Sequence, residues 1–426
     1  MAFLYPFIVF LQPGILWPDL APAKPFMLLS IIAAVYGMTR PGAIGQLVGR
    51  LRHPIFVWLC IFVFIQAISV YYSGVAAILD MFSFWDTYAI FVVVSLLLLR
   101  DTEQLYRFIA GTLVGSSVVI GYGIYAVFIH APALEGNRAG SYGMYQNHND
   151  YTFLILMALP YAYMGVRLAK GGLVKALLVI FVLACMLGTV LSLSRGGIVG
   201  LVLMLTMLYW RSTSGSRRTI GVVLLVSVGS VGIVWQFAAR EENQKGHYTA
   251  EDAKTTRYEL WRAARKIIEK KPILGIGSGR FSEKAREYAE LSHNNIGKVS
   301  HNTYLEVLTG SGILGFVSFM AILLGVLKAS TEKMGAFCSG VPPPLRAATQ
   351  VCIFTIMLRA LLDAKTYDWS FYFLAVMGIL IATTAGGEAA AESAQEAPQP
   401  SQRSVERRRP AAAPPSPRPA VYGRRT

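Results

Sequence analysis

Charge is scarce in this chain. Of its 426 residues only 15% are Asp, Glu, Lys or Arg, while 54% are hydrophobic. A soluble protein carries about 25% charged residues, so a water-solvated globule is excluded. Cysteine is also sparse. Cys60, Cys185 and Cys352 fall inside apolar stretches and Cys338 in a loop, with no CxxC spacing. That excludes a disulfide framework and a cysteine metal site. There is no Walker A loop, hence no ATP-driven engine of that type, and no HExxH or paired carboxylates to suggest a catalytic metal. Asp80, Asp86 and Asp150 are scattered. The short alternating segments of a membrane β-barrel are missing too. No Lys or Arg precedes the first apolar run, MAFLYPFIVF, and no small-residue cleavage site follows it. The N-terminus therefore reads as an uncleaved span rather than a secretory signal.

What is present is a succession of apolar runs, each able to cross a hydrocarbon core about 30 Å thick. Twelve candidate spans fall at roughly 2–16, 24–39, 54–70, 84–99, 108–129, 150–166, 176–194, 196–210, 219–239, 304–327, 347–363 and 370–385. The fold class expected is all-α: a polytopic membrane protein with about twelve transmembrane helices and one large helical loop on the exterior side, a periplasmic loop if the source is a Gram-negative bacterium. Four regions follow. Residues 1–239 hold about nine spans, 240–303 the loop, 304–385 about three more spans, and 386–426 a basic tail.

The net charge of +15 would suggest nucleic acid in a soluble protein; here it is a matter of topology. Fourteen basic residues lie in one set of short loops (Arg40, Arg50, Arg52, Arg100, Arg107, Arg167, Lys170, Lys175, Arg211, Arg217, Arg218, Lys328, Lys333 and Arg346). The opposite set holds Lys24, Arg138, Arg195 and Lys365. The first set is expected in the cytoplasm with both termini. The tail, rich in Ala, Pro and Arg, has too few apolar residues to fold. It would either touch anionic lipid or stay solvated.

The long insert carries thirteen Lys and Arg, yet long loops cross membranes despite such charge. It reads as an ordered external subdomain. Thr256-Arg257-Tyr258-Glu259 has the form of a capping box. Leu260, Trp261, Ala264, Ile267 and Ile268 follow at helical spacing, Pro272 ends the helix, and Gly275, Gly277 and Gly279 form a turn. Ser282 would cap a second short helix ending near Leu291.

Cations bordering spans are costly unless something requires them. Arg195 sits in SLSRGGIVG between two spans with almost no loop, where Gly196 and Gly197 would permit a tight reversal. It could contact a ligand or snorkel to lipid phosphates. Arg257 falls in the first turn of the expected loop helix, where free N–H groups also favour an anion; it could equally be one solvated Arg among many. His301-Asn302 opens the tenth span. Its imidazole can take or give a proton near neutral pH, or the pair can merely cap the helix. Arg359, inside the eleventh span, reads as the partner of Asp363 in an i, i+4 ion pair, with contact to a substrate as the alternative.

Two guanidinium forks suit a diphosphate. A lipid-linked diphosphate would place its headgroup at this depth, and diphosphate leaves readily once its charge is neutralised. One His could then activate an acceptor hydroxyl. The reaction implied is transfer of a sugar chain from a polyprenyl diphosphate to a hydroxyl.

Four stretches taken in order, GNRAGSYGMYQNHND, SLSRGGIVGL, TTRYELWRAARKIIEKKPILGIGSGRF and SHNTYLEVLTGSGILGF, resemble the O-antigen ligase and O-antigen polymerase superfamily of bacterial envelope glycosyltransferases. The likeness covers about residues 137–325; the first 130 residues match mainly as apolar spans and the tail does not match. It implies a metal-independent, inverting transferase without a cofactor, multi-pass in the bacterial inner membrane with its active site in the periplasm. The donor would be a glycan on undecaprenyl diphosphate. By the same resemblance Arg195 and Arg257 would hold the diphosphate and His301 would act on the acceptor hydroxyl. Arg280, Asn302, Asn149 and Arg138 are second-tier candidates, and His148 departs from the pattern. The partners implied are donor, acceptor and membrane lipid, with no nucleic acid. A ligase using lipid A–core as acceptor is the leading expectation. A polymerase joining lipid-linked O-antigen or exopolysaccharide repeats, a protein O-glycosyltransferase, and a transporter of lipid-linked glycan are the alternatives.

Overall fold

A computed structural model of the chain describes residues 1–72, 75–131, 138–243, 250–331, 343–364 and 368–396. Cys338, Lys333, Lys365 and the tail from 397 onward lie outside the described residues. Among those described there is no strand, and sixteen α-helices succeed one another. They are α1 (Leu4–Leu11), α2 (Pro13–Leu16), α3 (Pro25–Met38), α4 (Ala43–Leu51), α5 (Pro54–Tyr71), α6 (Val75–Leu98), α7 (Thr102–Phe128) and α8 (His148–Leu168). There follow α9 (Gly172–Leu191), α10 (Arg195–Ser212), α11 (Gly215–Asn243), α12 (Ala250–Lys270), α13 (Phe281–Tyr288), α14 (Thr303–Thr331), α15 (Pro343–Arg359) and α16 (Trp369–Glu396).

Among the described residues five helices, α5, α7, α8, α9 and α14, are long and apolar enough to cross a membrane. A sixth span results if α3 and α4, bent by 112°, are taken as one broken span. Shorter apolar helices cover Leu4–Leu16, Thr87–Leu98 and Trp369–Thr383. The count supported is thus five or six, below the twelve read from apolar runs, although helices occupy all twelve stretches. Length accounts for part of the difference. The first expected span breaks where Gln12 adopts a left-handed conformation (φ 51) ahead of Pro13, and a proline cannot continue the preceding hydrogen-bond ladder. At the other end α16 runs on to Glu396, past the expected start of the tail. The Ala- and Glu-rich segment there has high helix propensity.

α8 forms the centre. Every residue from Tyr151 to Ala162 is buried, so other helices rather than lipid surround it. Pro160 lies inside it without ending it. Proline lacks the N–H that would bond the Leu156 carbonyl, and the buried Cys352 thiol of α15 faces that carbonyl at 3.8 Å and the Met157 carbonyl at 3.6 Å. α9, by contrast, exposes Leu173, Val174, Leu177, Ile180 and Leu183, an apolar face of the kind lipid covers.

The insert packs on its own small core of Leu260, Ala263, Ala264, Ile267, Ile276, Phe281 and Ala285. Trp261 lies at the edge of this core, 41% exposed. Two expectations are corrected. α12 begins at Ala250, so Thr256 is not a cap and Arg257 lies well inside the helix, away from any free N–H groups. The preceding Ala-Glu-Asp-Ala-Lys run favours earlier helix initiation. α13 begins at Phe281 with Arg280 at its N-cap position and ends at Tyr288, short of Leu291.

The insert is fastened to the membrane helices at a break in α14. Gly312 has φ 63 and ψ −165, and Gly275 has φ 68. These are left-handed values that only glycine adopts cheaply. The opened backbone pairs with the insert: Ile276 N–H donates to the Thr309 carbonyl, Gly277 N–H to Gly310 and Ile313 N–H to Pro272. Ser69 of α5 bonds the same junction, its Oγ 2.6 Å from the Leu274 carbonyl and 2.5 Å from that of Gly310. A Cβ on Gly312 would stand 2.1 Å from the Ile273 carbonyl oxygen. Gly312→Ala is therefore expected to cost about 1–3 kcal/mol in backbone strain alone. It should lower the melting temperature in detergent and speed proteolysis within 272–280; an unchanged melt would show that the break is not required.

Candidate functional site

The site is built around the turn that follows α15. Its carbonyls are claimed by distant parts of the chain. Thr303 N–H donates to Ala360 O at 2.8 Å and Thr303 Oγ1 to Asp363 O at 2.7 Å. Arg257 Nη2 donates to Leu362 O at 3.2 Å. One turn of main chain thus joins the start of α14 to α12.

Arg359, the last residue of α15, is 2% exposed. Its Nη2 lies 3.2 Å from Asn149 Oδ1, 3.5 Å from Ser194 Oγ and 3.5 Å from Asp363 Oδ2. Its guanidinium carbon sits 4.9 Å from the centre of the Phe153 ring, within cation–π range. Ser194 Oγ donates to Asn149 Oδ1 at 2.8 Å and accepts from Gly197 N–H at 3.1 Å as the N-cap of α10. Gly196 lies against the guanidinium, where a Cβ would come within 2.8 Å of it. The reversal between α9 and α10 is made by Leu193 (φ 49), not by the glycines; Gly196 is needed for space instead.

His301 occupies a left-handed conformation (φ 49) just before α14. Its Nδ1 faces Asp363 Oδ1 at 3.7 Å, with the imidazole 32% exposed and the carboxylate 4%. That is too long for a hydrogen bond but close enough for charge attraction once the ring is protonated. The flanking residues are clamped. Ser300 donates through N–H and Oγ to Glu306 Oε2 at 3.1 and 2.7 Å, and its carbonyl accepts from Trp261 Nε1 at 3.1 Å. Asn302 Oδ1 accepts from the N–H groups of Tyr304 and Leu305, so Asn302 caps α14.

Of the residues singled out from sequence, Arg257, His301 and Asn149 touch this hub directly. Arg195, half-buried at the first position of α10, reaches it through its neighbours Ser194 and Gly196. Arg138, 5% exposed, donates from Nε and Nη2 to the carbonyls of Ser192 and Leu193 at 3.1 Å each. It thereby stiffens the approach to Arg195. Arg280 is engaged elsewhere, in an ion pair with Glu283 at 2.6 Å. Sequence reasoning missed the centre itself. Arg359 and Asp363 do pair, but their partners extend to three other segments. The signal was a charge inside an apolar run. Among the described residues no group of three or more His, Cys, Asp or Glu is placed to hold a metal ion.

Residues 178–320 match the family model described as O-antigen ligase. The match supports the resemblance to the O-antigen ligase and polymerase superfamily and points to glycosyl transfer at a membrane. Among curated proteins none matches the chain. The matched third of the sequence runs from α9 into α14 and includes Arg195, Arg257, Arg280, His301 and Asn302. Arg138, Asn149, Arg359 and Asp363 lie outside it.

Removing one member of a buried pair leaves the other charge without compensation, at a cost of about 3–5 kcal/mol, whereas replacing both by apolar residues is often nearly neutral. Arg359→Leu should therefore melt well below the parent protein, and Arg359→Leu with Asp363→Leu should recover much of the loss. Non-recovery would show that the pair is not the electrostatic unit.

In the insert, Glu259 accepts from Ser292 N–H, Ser292 Oγ and Asn295 Nδ2. The Asn295 bond first, then those from Ser292, holds its carboxyl below the usual carboxylate range. A depressed folded-state pKa gives stabilisation that is present above the unfolded value and lost as pH falls through the folded one. Acidification below that range should release the 292–295 turn, seen as faster amide exchange at Ser292 and Asn295. Glu259→Gln should abolish this pH dependence.

Proposed function

We propose that the protein transfers a glycan from a polyprenyl diphosphate carrier to an acceptor hydroxyl at the face where α8, α10 and α14 begin. The carrying observation is that Arg257 and His301 meet the turn that follows α15, while Ser194 and Gly196, which flank Arg195, contact Arg359 at the end of α15. By the charge pattern of the loops, this face is the periplasmic side of the inner membrane.

In the proposed step His301 takes the proton of the acceptor hydroxyl. The acceptor oxygen then forms a bond to the anomeric carbon as that carbon's bond to the diphosphate oxygen breaks. The diphosphate leaves with the bonding electrons, and Arg195 and Arg257 hold its charge. A single displacement inverts the anomeric centre. With Nδ1 turned to Asp363, Nε2 is the nitrogen available for the hydroxyl, and the carboxylate stabilises the imidazolium that forms. Asp363 is thus a positioning residue, itself held by Arg359. The superfamily resemblance supports a ligase-like or polymerase-like reading. Lipid A–core is the favoured acceptor, with lipid-linked repeats as the alternative.

The test is transfer by purified protein, given polyprenyl-diphosphate glycan and each acceptor in turn. His301→Ala is expected to reduce the rate roughly 10²–10⁴-fold, Arg257→Ala to raise the donor KM, and EDTA to leave transfer intact. Normal transfer by His301→Ala protein would remove His301 as the base. In cells lacking the protein, polymer left on its carrier lipid means ligase, and single repeats mean polymerase.

A further inference from the structure

One pocket has no part in the steps above. It lies beside the loop that precedes α8, an open space of about 490 Å³ walled by Ile8 of α1, Phe26 and Met27 of α3, Ile90 of α6, Met144 and Trp369. Its volume falls in the range of about 300–1,000 Å³ usual for ligand sites. Lys24 and Gln12 also line it. A second cavity lies between α5, α6 and α16, and among the described residues that line it none is charged. Apolar walls alone accept any hydrocarbon, whereas a cation at the wall selects among ligands.

The polar groups of this pocket are not consumed by the fold. Lys24 is exposed at the N-cap position of α3, and among the described residues it makes no ion pair. Gln12 Oε1 accepts from Met144 N–H at 3.4 Å, while its Nε2 is shielded from water and has no hydrogen-bond partner. A shielded donor without a partner leaves a bond for a ligand oxygen to make. Trp17, half exposed just ahead of the segment Pro18–Ala23, marks the depth, because tryptophan settles at the headgroup level of a bilayer. Beyond Lys24, α3 turns Leu28, Ile31 and Val35 outward, each more than half exposed. They recur at helical spacing and so form one stripe; Met27, one turn before Ile31, joins it to the pocket. From Lys24 to Val35 the stripe runs about 16 Å. That is close to half of a hydrocarbon core about 30 Å thick, the depth available to a chain confined to one leaflet.

We infer that the pocket and the stripe together bind one phospholipid of net negative charge. Its phosphate pairs with Lys24, one chain enters the pocket, and the other lies along α3. Gln12 Nε2 supplies a donor for an ester or phosphate oxygen. One lysine balances the single charge of a phosphodiester; a diphosphate carrier would bring more charge, and its proposed ligands Arg195 and Arg257 lie elsewhere. The inference goes beyond the transfer reading and does not rest on it.

Full-length protein, purified in detergent and stripped of lipid, is titrated with dioleoyl phosphatidylglycerol or dioleoyl phosphatidylcholine, and bound lipid is counted by native mass spectrometry. The parent protein should retain one phosphatidylglycerol in preference to phosphatidylcholine. Lys24→Gln should raise the phosphatidylglycerol Kd roughly two- to fivefold, the size of an exposed ion pair, and leave the phosphatidylcholine Kd unchanged. Lys24→Arg should keep the preference. Because Lys24 is exposed, the lipid-free melting temperature of both variants should match the parent's. Ile31→Ser should weaken both lipids alike. Equal affinity of the parent for the two lipids, or an undiminished preference in Lys24→Gln, overturns the inference. Displacement of phosphatidylglycerol by inorganic phosphate would show a headgroup site without seated chains and overturns it too. Displacement by undecaprenyl phosphate at lower concentration would assign the pocket to the carrier lipid instead. A protein that binds phosphatidylglycerol as described yet transfers no glycan leaves this site standing while the transfer reading fails.

Discussion

A guanidinium removed from water has to find acceptors, and Arg359 finds them on separate parts of the chain. Asn149 opens α8, Ser194 caps α10, and Asp363 closes the turn beyond α15. Taking such a charge out of water is costly, so the ends of these elements cannot drift apart without exposing it or leaving it unsatisfied. The constraint acts on position more than on stability. It holds Asp363 opposite His301 and keeps Gly196 against the guanidinium, which fixes where Arg195 begins its helix.

The insert is tied to this hub twice. Arg257 and Trp261, one helical turn apart on α12, reach Leu362 and Ser300. The glycine turn enters the break in α14 at Gly312. Between these attachments lies the short run from Ser300 to Gly312, with His301 at one end. A long loop is ordinarily mobile, but one whose main chain pairs with a broken membrane helix becomes part of the scaffold. Residues proposed to act on one substrate can then come from an insert and from spans without a loss of precision.

The partition of surfaces is consistent with a substrate that is polar at one end and apolar at the other. The charged groups gather at the ends of α8, α10, α14 and α15, while α9 turns an apolar face outward. In the proposed reaction a headgroup would be handled at that polar end while an isoprenoid stays in the bilayer. The family match covers Arg195, Arg257 and His301 but not Arg359, Asp363 or Asn149. The segment that matches the family model is therefore positioned by residues beyond its bounds.

The sequence by itself determined the helical membrane class, the ordered insert, and the residue types at its edges, because hydropathy, prolines and glycines act locally. It also marked Arg195, Arg257 and His301 as unusual, since charged or titratable groups at the edge of apolar runs stand out. It misplaced the start of α12, because a T-x-x-E pattern can occur inside a helix when the preceding residues are good helix formers. It assigned the tight reversal to Gly196 and Gly197, whereas Leu193 makes the turn. Only the tertiary structure decided that Arg359 and Asp363 form a hub rather than an isolated pair, and that Asn149 joins it. Those facts depend on contacts such as those of Arg359 with Asn149 and Ser194, 210 and 165 positions apart in the chain. Such meetings are set by packing, and helical periodicity carries no trace of them.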